Sequence, residues 1–236
     1  MYGGISLGQG GPKLLIATGA GPTVAQLLTQ VGNGIAQHAG VPPRTEDLAP
    51  PTANDPRGAG LAASALPITL AGLLPAVALV VLLKREVKTR FAAVAMFSGL
   101  AALTIAALLR YVLGSIGANF WGVTGGLTLG VLAAGLSMLG LGSLFGRVGL
   151  AVGALLALLL ANPLSGLNSA QELLPRGWGA LGQLLPQGAN ATLLRSTAFF
   201  DGAGSGTAIM VLTCWAVAGA VLIVIAALRR DRPSST

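Results

Sequence analysis

The chain has 236 residues, of which 53% are hydrophobic and only 9% are charged, and its formal net charge is +7. Soluble domains carry roughly 25% charged residues, so a soluble fold of this composition would lack the polar surface needed to cover its core. Basic chains often bind nucleic acid, but here the basic residues lie beside apolar runs and are not interleaved with aromatic residues. The composition therefore argues against a soluble domain and against nucleic-acid binding, and it predicts an integral membrane protein whose partner is the lipid bilayer.

Residues 1–60 are less apolar than the rest of the chain. Residues 2–7 and 14–17 indicate two short strands around the turn-forming stretch 8–12. Pro22 suits the first turn of a helix, and helical spacing follows at Val24, Leu27, Leu28, Val31 and Ile35. Residues 41–60 are rich in Pro, Ala and acidic residues and are interpreted as a linker. The sequence therefore predicts a small unit with strands and a helix at 1–60, followed by a transmembrane domain at 61–236.

Five apolar stretches make up most of that domain, and a helix needs roughly 20 apolar residues to cross a bilayer. They lie at 61–83, 91–116, 121–144, 148–161 and 207–228. Only Gly146 and Arg147 clearly separate the third stretch from the fourth, which predicts a tight hairpin, and the fourth is short and ends at Asn162. The predicted fold class is an all-α polytopic membrane protein with about five transmembrane helices and a small extracytoplasmic α+β remnant at its N-terminus.

Charged residues are divided unequally between the two sides of these predicted spans. One side would hold residues 84–90, 145–147 and 229–236, with eight basic and two acidic residues, and the other would hold 1–60 and 163–205, with five of each. Basic residues are enriched in cytoplasmic loops. The count predicts a multi-pass protein whose N-terminus lies outside and whose C-terminus lies in the cytoplasm.

A ridge of small residues follows one face of the third predicted span, where every fourth position is occupied by Gly122, Gly126, Gly130 and Ala134. Such faces let helix backbones approach closely in lipid. The chain contains 35 glycines, so glycine richness alone is the alternative explanation. We interpret the ridge as a helix-packing face, and its partner could be another helix of this chain or another subunit.

The segment 163–205 is too polar and too often interrupted to span a bilayer, yet it contains short apolar pieces. Prolines divide it into short helical units, and an aromatic residue suits headgroup depth; the residues that mark the segment are Asn162, Pro163, Pro175, Trp178 and Pro186. This pattern predicts short helices that lie in the interface or re-enter the bilayer from the outer side. The alternative is an ordinary outer loop with local apolar packing.

No pattern in the chain indicates catalysis. The sequence contains no GxxxxGK[ST], no HExxH and no GxSxG, so we expect no enzyme activity and no cofactor. The only cysteine, Cys214, lies in an apolar run, and the only histidine, His38, has no Cys or carboxylate near it in sequence, so no metal site is predicted. All carboxylates lie outside the predicted spans, which disfavours a proton-coupled transporter acting alone.

The order of these features is similar to that of a known class of membrane proteins. Residues 162–166, 171–175 and 184–186 lie between the last two predicted spans, and Asp55-Pro56-Arg57-Gly58 comes just before the first. This layout, over about residues 10–230, resembles the membrane subunits of type-2 ABC exporters, and among them the YhgE/Pip (phage infection protein) group. Such permeases have six spans, with short re-entrant outer helices between the last two. The first span of the family is missing here.

The resemblance implies a permease subunit of the bacterial plasma membrane, in a homo- or hetero-dimer of permease subunits powered by a separate ATPase subunit, with an undetermined substrate. A non-transporting scaffold or anchor for surface-polymer or secretion machinery is the alternative. An N-terminus outside the cell needs an export signal, and residues 1–60 contain none. We therefore expect either an upstream segment with one more transmembrane helix or a partner that supplies one.

Overall fold

The computed structural model of the chain describes residues 3–8, 11–40, 44–82, 87–167 and 170–230. Several residues used in the sequence analysis lie outside these ranges. They are Tyr2 of the first predicted strand, the turn residues Gln9 and Gly10, the charged residues Lys84, Arg85 and Glu86, and the C-terminal residues 231–236.

The N-terminal unit is a three-stranded sheet with one helix packed on it. Strands β1 (Gly3–Gly8) and β2 (Gly11–Ile16) form an antiparallel hairpin, with Gly3 opposite Ile16 and Gly8 opposite Gly11. Helix α1 (Pro22–Ala39) packs on the sheet, where Leu14, Ile16 and Ala25 form a small buried core with Leu28. The hairpin and the helix expected from the sequence are therefore both present.

The third strand, β3 (Arg44–Asp47), was not expected, because residues 41–60 were interpreted as a linker. It pairs in parallel with β2, and α1 forms the crossover between the two strands. Its sequence, RTED, has no apolar alternation, so nothing in the local pattern indicates a strand. Backbone pairing to β2 holds β3 in place, together with the hydrogen bonds that Asp47 Oδ1 accepts from the N–H groups of Thr18 and Ala49. The half-exposed Lys13–Glu46 ion pair joins the same two strands and contributes little.

Most of the rest of the described chain is helical, and four stretches of it are long and apolar enough to cross a membrane: Ala59–Val81, Thr89–Val112, Phe120–Ala161 and Gly206–Arg229. This composition and architecture are those of a helical membrane protein. The helices are α2 (Ala59–Ala63), α3 (Ala65–Leu82), α4 (Val87–Ala107, extended by a π-helical turn at Leu108–Val112), α5 (Phe120–Leu155, extended by a π-helical turn at Leu156–Ala161), α6 (Trp178–Gln183), α7 (Pro186–Phe199) and α8 (Gly206–Arg230).

Two of the predicted helix boundaries move. The first predicted span is divided at Ser64, because the ring of Pro67 cannot sit against the carbonyl of Ala63 in a continuous helix. Pro75, by contrast, is accommodated inside α3. The second predicted span was drawn to residue 116, but the helix ends at Val112 and an irregular loop leads to Asn119.

Helix α5 is folded back on itself at Gly146, where the backbone leaves the helical conformation (φ 62°, ψ −139°). A Cβ placed on Gly153 would lie 2.6 Å from Sδ of Met138, and one on Gly149 would lie 2.2 Å from the carbonyl oxygen of Leu141. In a straight helix Met138 and Gly153 would be about 22 Å apart. Residues 120–145 and 147–161 are therefore two antiparallel arms, called here the first arm and the second arm.

The first arm lies at the centre of the bundle, and α3, α4, α7 and α8 all pack against α5. It contributes to three buried apolar clusters, and its fully enclosed side chains include Val123, Leu127, Val131 and Leu139. We call the end of the bundle near Asn119, where the N-terminal unit packs, the upper end. The end at Gly146 is the lower end.

Candidate functional site in the middle of the bundle

The centre of the predicted glycine ridge faces α7. A Cβ on Gly126 would lie 3.1 Å from Cγ of Leu193, and one on Gly130 would lie 2.2 Å from Cγ and Oδ1 of Asn190. The two glycines thus admit the side chains of two α7 residues one turn apart. Because the residue number rises along the first arm as it falls along α7, the two helices run antiparallel.

The two ends of the ridge have different neighbours. Gly122 lies against Asn119, whose side chain caps the first arm by accepting a hydrogen bond from the Gly122 N–H at 3.1 Å. Ala134 faces α3, where a Cβ on Gly72 would lie 2.7 Å from that of Ala134. The ridge therefore contacts its own N-terminal cap, α7 and α3 in turn, and each of these contacts lies within the chain.

One close helix contact was not singled out from the sequence. A Cβ on Gly219 of α8 would lie 2.4 Å from the carbonyl carbon of Leu136, and one on Gly140 would lie 2.8 Å from the carbonyl oxygen of Gly219. The hydroxyl of Ser137 also donates to the carbonyl of Trp215 at 3.2 Å. Gly140 and Gly219 lie on different helices, so a search for small residues in α5 and α8 together, and not in α5 alone, could have indicated this pair.

The segment 163–205 forms short helices, and its marker residues occupy their ends. Asn162 closes the second arm, and its Oδ1 accepts a hydrogen bond from Thr69 of α3 at 3.3 Å. Pro163 begins a 3-10 turn, and Pro175 follows the second such turn, at Gln171–Leu173. Trp178 begins α6 and is 44% exposed, whereas Pro186 begins α7 and is buried.

Helix α7 is enclosed by the bundle. Its 14 residues include nine buried ones, and Leu194 and Ala189 are 1% exposed. Its C-terminal end lies at the level of Asn119, which donates a hydrogen bond to the carbonyl of Thr197, two residues before Phe199. Its N-terminal residue, Pro186, borders the same cavity as Ala134. The α6–α7 segment thus enters the bundle from the upper end and turns near the middle of the first arm.

The turn before α7 is attached to α8 by one hydrogen bond. Nε1 of Trp215 donates to the carbonyl oxygen of Leu184 at 2.7 Å. This bond satisfies the indole N–H and a carbonyl at a helix end, both of which would be costly to leave unpaired in lipid. This hydrogen bond therefore ties the turn before α7 to α8.

A cavity of about 130 Å³ lies beside this turn, between α3, the two arms, α7 and Trp215. Its described lining is apolar except for Thr69, Ser137, Gln187 and the indole of Trp215, and includes no charged residue. The hydroxyls of Thr69 and Ser137 donate to carbonyls of their own helices, so they are already satisfied. The lining suits an apolar or amphiphilic molecule.

Two amide oxygens of α7, Oε1 of Gln187 and Oδ1 of Asn190, lie in this apolar setting with no hydrogen-bond partner among the described residues. Buried amide oxygens normally accept at least one bond. Asn190 is 3% exposed, so the glycosylation pattern Asn190-Ala191-Thr192 describes a buried asparagine and not a surface acceptor. Gln187 borders the cavity, where its free oxygen could accept a bond from a hydroxyl or amine of a bound molecule.

At the upper end, Asp55 joins the linker to two other segments. Its carboxylate accepts hydrogen bonds from the N–H groups of Ala59 and Gly60, each at 2.9 Å, and from the hydroxyl of Ser115 at 2.6 Å. Thr52 donates its hydroxyl to the carbonyl of Gly114 in the same loop. An aspartate just before a helix is a recognised capping signal, but the contact with Ser115 has no signal in the sequence.

The environment of Asp55 favours its ionised form. Burial by itself would raise the pKa of this carboxyl, but hydrogen bonds from Ser115, Gly60, Ala59 and Gly58 together hold the pKa below its ordinary value of 3.8. Gly60 must be small for this arrangement, since a Cβ there would lie 1.9 Å from the Ser115 hydroxyl oxygen. The ionised Asp55 therefore joins the start of the first membrane-crossing stretch to the loop that precedes the first arm through these hydrogen bonds.

Within the described part of the chain, no three His, Cys, Asp or Glu side chains come together in a way that could hold a metal ion. Cys214 is exposed on α8 and His38 is exposed on α1. The chain matches no protein-family model, no curated protein sequence and no solved structure.

Proposed function

We propose that the chain is a membrane permease subunit of an ABC-type exporter, powered by a separate ATPase. The observation that carries this proposal is the α6–α7 segment, which enters the bundle halfway from the upper end, between the second arm and α8. Type-2 exporter permeases, which the sequence resembles, have short re-entrant outer helices between their last two spans. The apolar cavity of about 130 Å³ at the tip of this segment would hold one apolar group of an exported amphiphile.

The proposal includes five membrane crossings, made by α2–α3, α4, the first arm, the second arm and α8. The fold-back at Gly146 supports counting α5 twice. The charge count of the sequence supports the orientation, because one side of the spans has eight basic and two acidic residues and the other has five of each. Arg90, which donates to the hydroxyl of Ser143, lies at the lower end with Arg147, whereas Arg57 and Arg195 lie at the upper end. The lower end would then face the cytoplasm of a bacterium.

Transport would follow from movement between two permease copies. In this class ATP hydrolysis in a separate subunit rocks one membrane half against the other around a central site. The chain contains no phosphate-binding loop of its own, which is why the proposal requires a partner ATPase. Its own residues would supply only binding and alternating access.

A non-transporting scaffold or anchor is the second candidate, and one observation favours it. The turn between the two arms consists of little more than Gly146 and Arg147. It therefore offers an ATPase little surface, and coupling would depend mainly on the segment between α3 and α4. An anchor for surface-polymer or secretion machinery needs no such surface.

Affinity purification of the tagged chain from its native membrane tests the two candidates against each other. An exporter subunit should co-purify with a nucleotide-binding ATPase, and the complex should hydrolyse ATP. The variant Arg85→Glu, in the segment between α3 and α4, should weaken that association, and Arg176→Glu, at the upper end of the bundle, is the matched control. Recovery of surface-polymer or secretion proteins without an ATPase would favour the anchor instead.

A further inference from the structure

A second cavity, of about 250 Å³, lies at the upper end between the N-terminal unit and the helical bundle. Residues 18–23, the start of α2 and the upper part of α7 form its walls. Several wall positions are small, among them Gly19, Gly21, Gly58 and Ala59. The cavity is therefore large enough for groups bigger than a water molecule.

Two arginines line this cavity. Arg57 is exposed in the turn before α2, and Arg195 projects from α7, where it donates to the carbonyl oxygen of Leu167 at 3.1 Å. A guanidinium presents several N–H donors in a planar fork that matches the oxygens of a phosphate group. One arginine comes from the linker and the other from the bundle, so an anion between them would join the two parts of the protein.

No aspartate or glutamate is among the described residues that line the cavity. The carboxylate nearest to Arg57 in sequence, Asp55, is turned away and bonded to Ser115, Ala59 and Gly60. Glu172 lines a neighbouring cavity that shares Arg195, but Arg57 is not part of that cavity. Arg57 also lines an adjoining space whose described walls contain no carboxylate. The positive charge of Arg57 is therefore not neutralised by a described carboxylate in either space.

The start of α1 reinforces this positive character. Gly21, Pro22 and Thr23 line the cavity, no side chain caps the helix, and its first turn contains no acidic residue. A helix N-terminus carries a partial positive charge and unpaired N–H groups that favour an anion. Its contribution adds to that of the two arginines.

We propose that this cavity is a binding site for a phosphate group, carried either by an anionic lipid headgroup or by a free phosphate compound. The inference rests on the arginine pair and the lining, and it holds whether the chain is an exporter or an anchor. Phosphate bound here would link Arg57 in the linker to Arg195 on α7 and so stabilise the packing of the N-terminal unit on the bundle.

The test uses the full-length chain purified in detergent and follows its thermal unfolding. A titration with inorganic phosphate is compared with one with sodium chloride at equal ionic strength. Mixed detergent micelles that contain phosphatidylglycerol are compared with mixed micelles that contain phosphatidylcholine. The variant Arg57→Gln removes an exposed charge and leaves the fold intact, which its unfolding temperature without ligand verifies. Arg176→Gln, an exposed arginine outside the cavity, is the control of equal charge loss.

We expect phosphatidylglycerol to raise the unfolding temperature, and Arg57→Gln to weaken this binding about tenfold, as loss of a charge-assisted contact does. Arg176→Gln should bind like the parent chain. Stabilisation by both inorganic phosphate and phosphatidylglycerol would identify the phosphate group itself as the ligand, and stabilisation by the lipid alone would identify the headgroup. The proposal would be overturned if sodium chloride stabilised the chain as much as phosphate and phosphatidylcholine as much as phosphatidylglycerol. Unchanged binding of phosphatidylglycerol by Arg57→Gln would also overturn it.

Discussion

Asn190 of α7 occupies the space that a side chain on Gly130 would need. A Cβ on Gly130 would lie 2.2 Å from both Cγ and Oδ1 of Asn190, which is far inside van der Waals contact. This pair brings a polar residue against the centre of the first arm, where the helices are otherwise apolar. Because Gly130 has no side chain, the amide of Asn190 can lie directly against the first arm, and this contact sets how closely α7 packs on it.

Substitution of Gly130 by leucine should therefore separate α7 from the first arm. The new side chain cannot be placed without moving Asn190, and overpacking of this kind costs about 1–3 kcal/mol. We expect a lower unfolding temperature in detergent and a lower yield of folded protein. Gly99→Leu is the control, because no atom lies within 4 Å of a Cβ built there. Equal stability of the two variants would show that the close approach at Gly130 is not needed.

Asp55→Asn should weaken the hydrogen bonds that join α2 to the loop before the first arm, and so should lower the stability of the chain. An asparagine side chain has only one acceptor oxygen in place of the carboxylate pair, so at least one of the donors from Ser115, Ala59 and Gly60 loses its partner. Losing hydrogen bonds to a buried charged group costs about 1–3 kcal/mol. Glu46→Gln serves as the control, since it removes a charge from a half-exposed ion pair with Lys13 that contributes little. The comparison is made by thermal unfolding at neutral pH.

The stabilising effect of Asp55 should depend on pH. Its pKa is lower in the folded chain than the ordinary value of 3.8. Such a group contributes its full stability above the unfolded value, and the contribution is lost as the pH falls through the folded value. The difference in unfolding temperature between the parent chain and Asp55→Asn should therefore be constant above about pH 5 and narrow below it. A difference that widens on acidification would contradict the assigned direction of the pKa.

Gly146→Ala should destabilise the turn between the two arms. Its backbone conformation, φ 62° and ψ −139°, is one that only glycine adopts without strain. Forcing a Cβ into it costs about 1–3 kcal/mol. Gly125→Ala is the contrasting change, because that glycine is helical and has open space around it, so added helix propensity should leave stability equal or higher. Thermal unfolding of both variants gives the comparison, and equal behaviour would argue against a strained turn.

Cysteine labelling tests the proposed orientation. Cys214 is first replaced by serine, since it is exposed on α8 and would react itself. Single cysteines are then placed at Arg147 and Arg176, both of which are exposed. In intact cells a membrane-impermeant reagent should label Arg176→Cys, whereas Arg147→Cys should react only after permeabilisation. Labelling of Arg147→Cys in intact cells would reverse the orientation.

Much of the helical framework could be predicted from the sequence, because a helix that crosses a lipid bilayer must be apolar along most of its length. The apolar stretches beginning near residues 61, 91, 121 and 207 are all helical. The hairpin around residues 8–12 and the start of α1 at Pro22 were also predicted, since turn residues and proline act locally. Strand β3 was missed, because four mostly charged residues become a strand only when β2 is beside them.

The sequence by itself determined which segments are apolar, where they are interrupted and that small residues recur every fourth position from Gly122. These features depend on neighbours along the chain and on the solvent each segment must enter. Only the tertiary structure decided that Gly126 and Gly130 face α7, that Gly122 makes room for its own cap, and that Asp55 bonds to Ser115. It also brought Arg57 and Arg195 to one cavity. Such contacts join residues far apart in sequence, and their formation depends on the relative depth and rotation of packed helices, which no local pattern encodes.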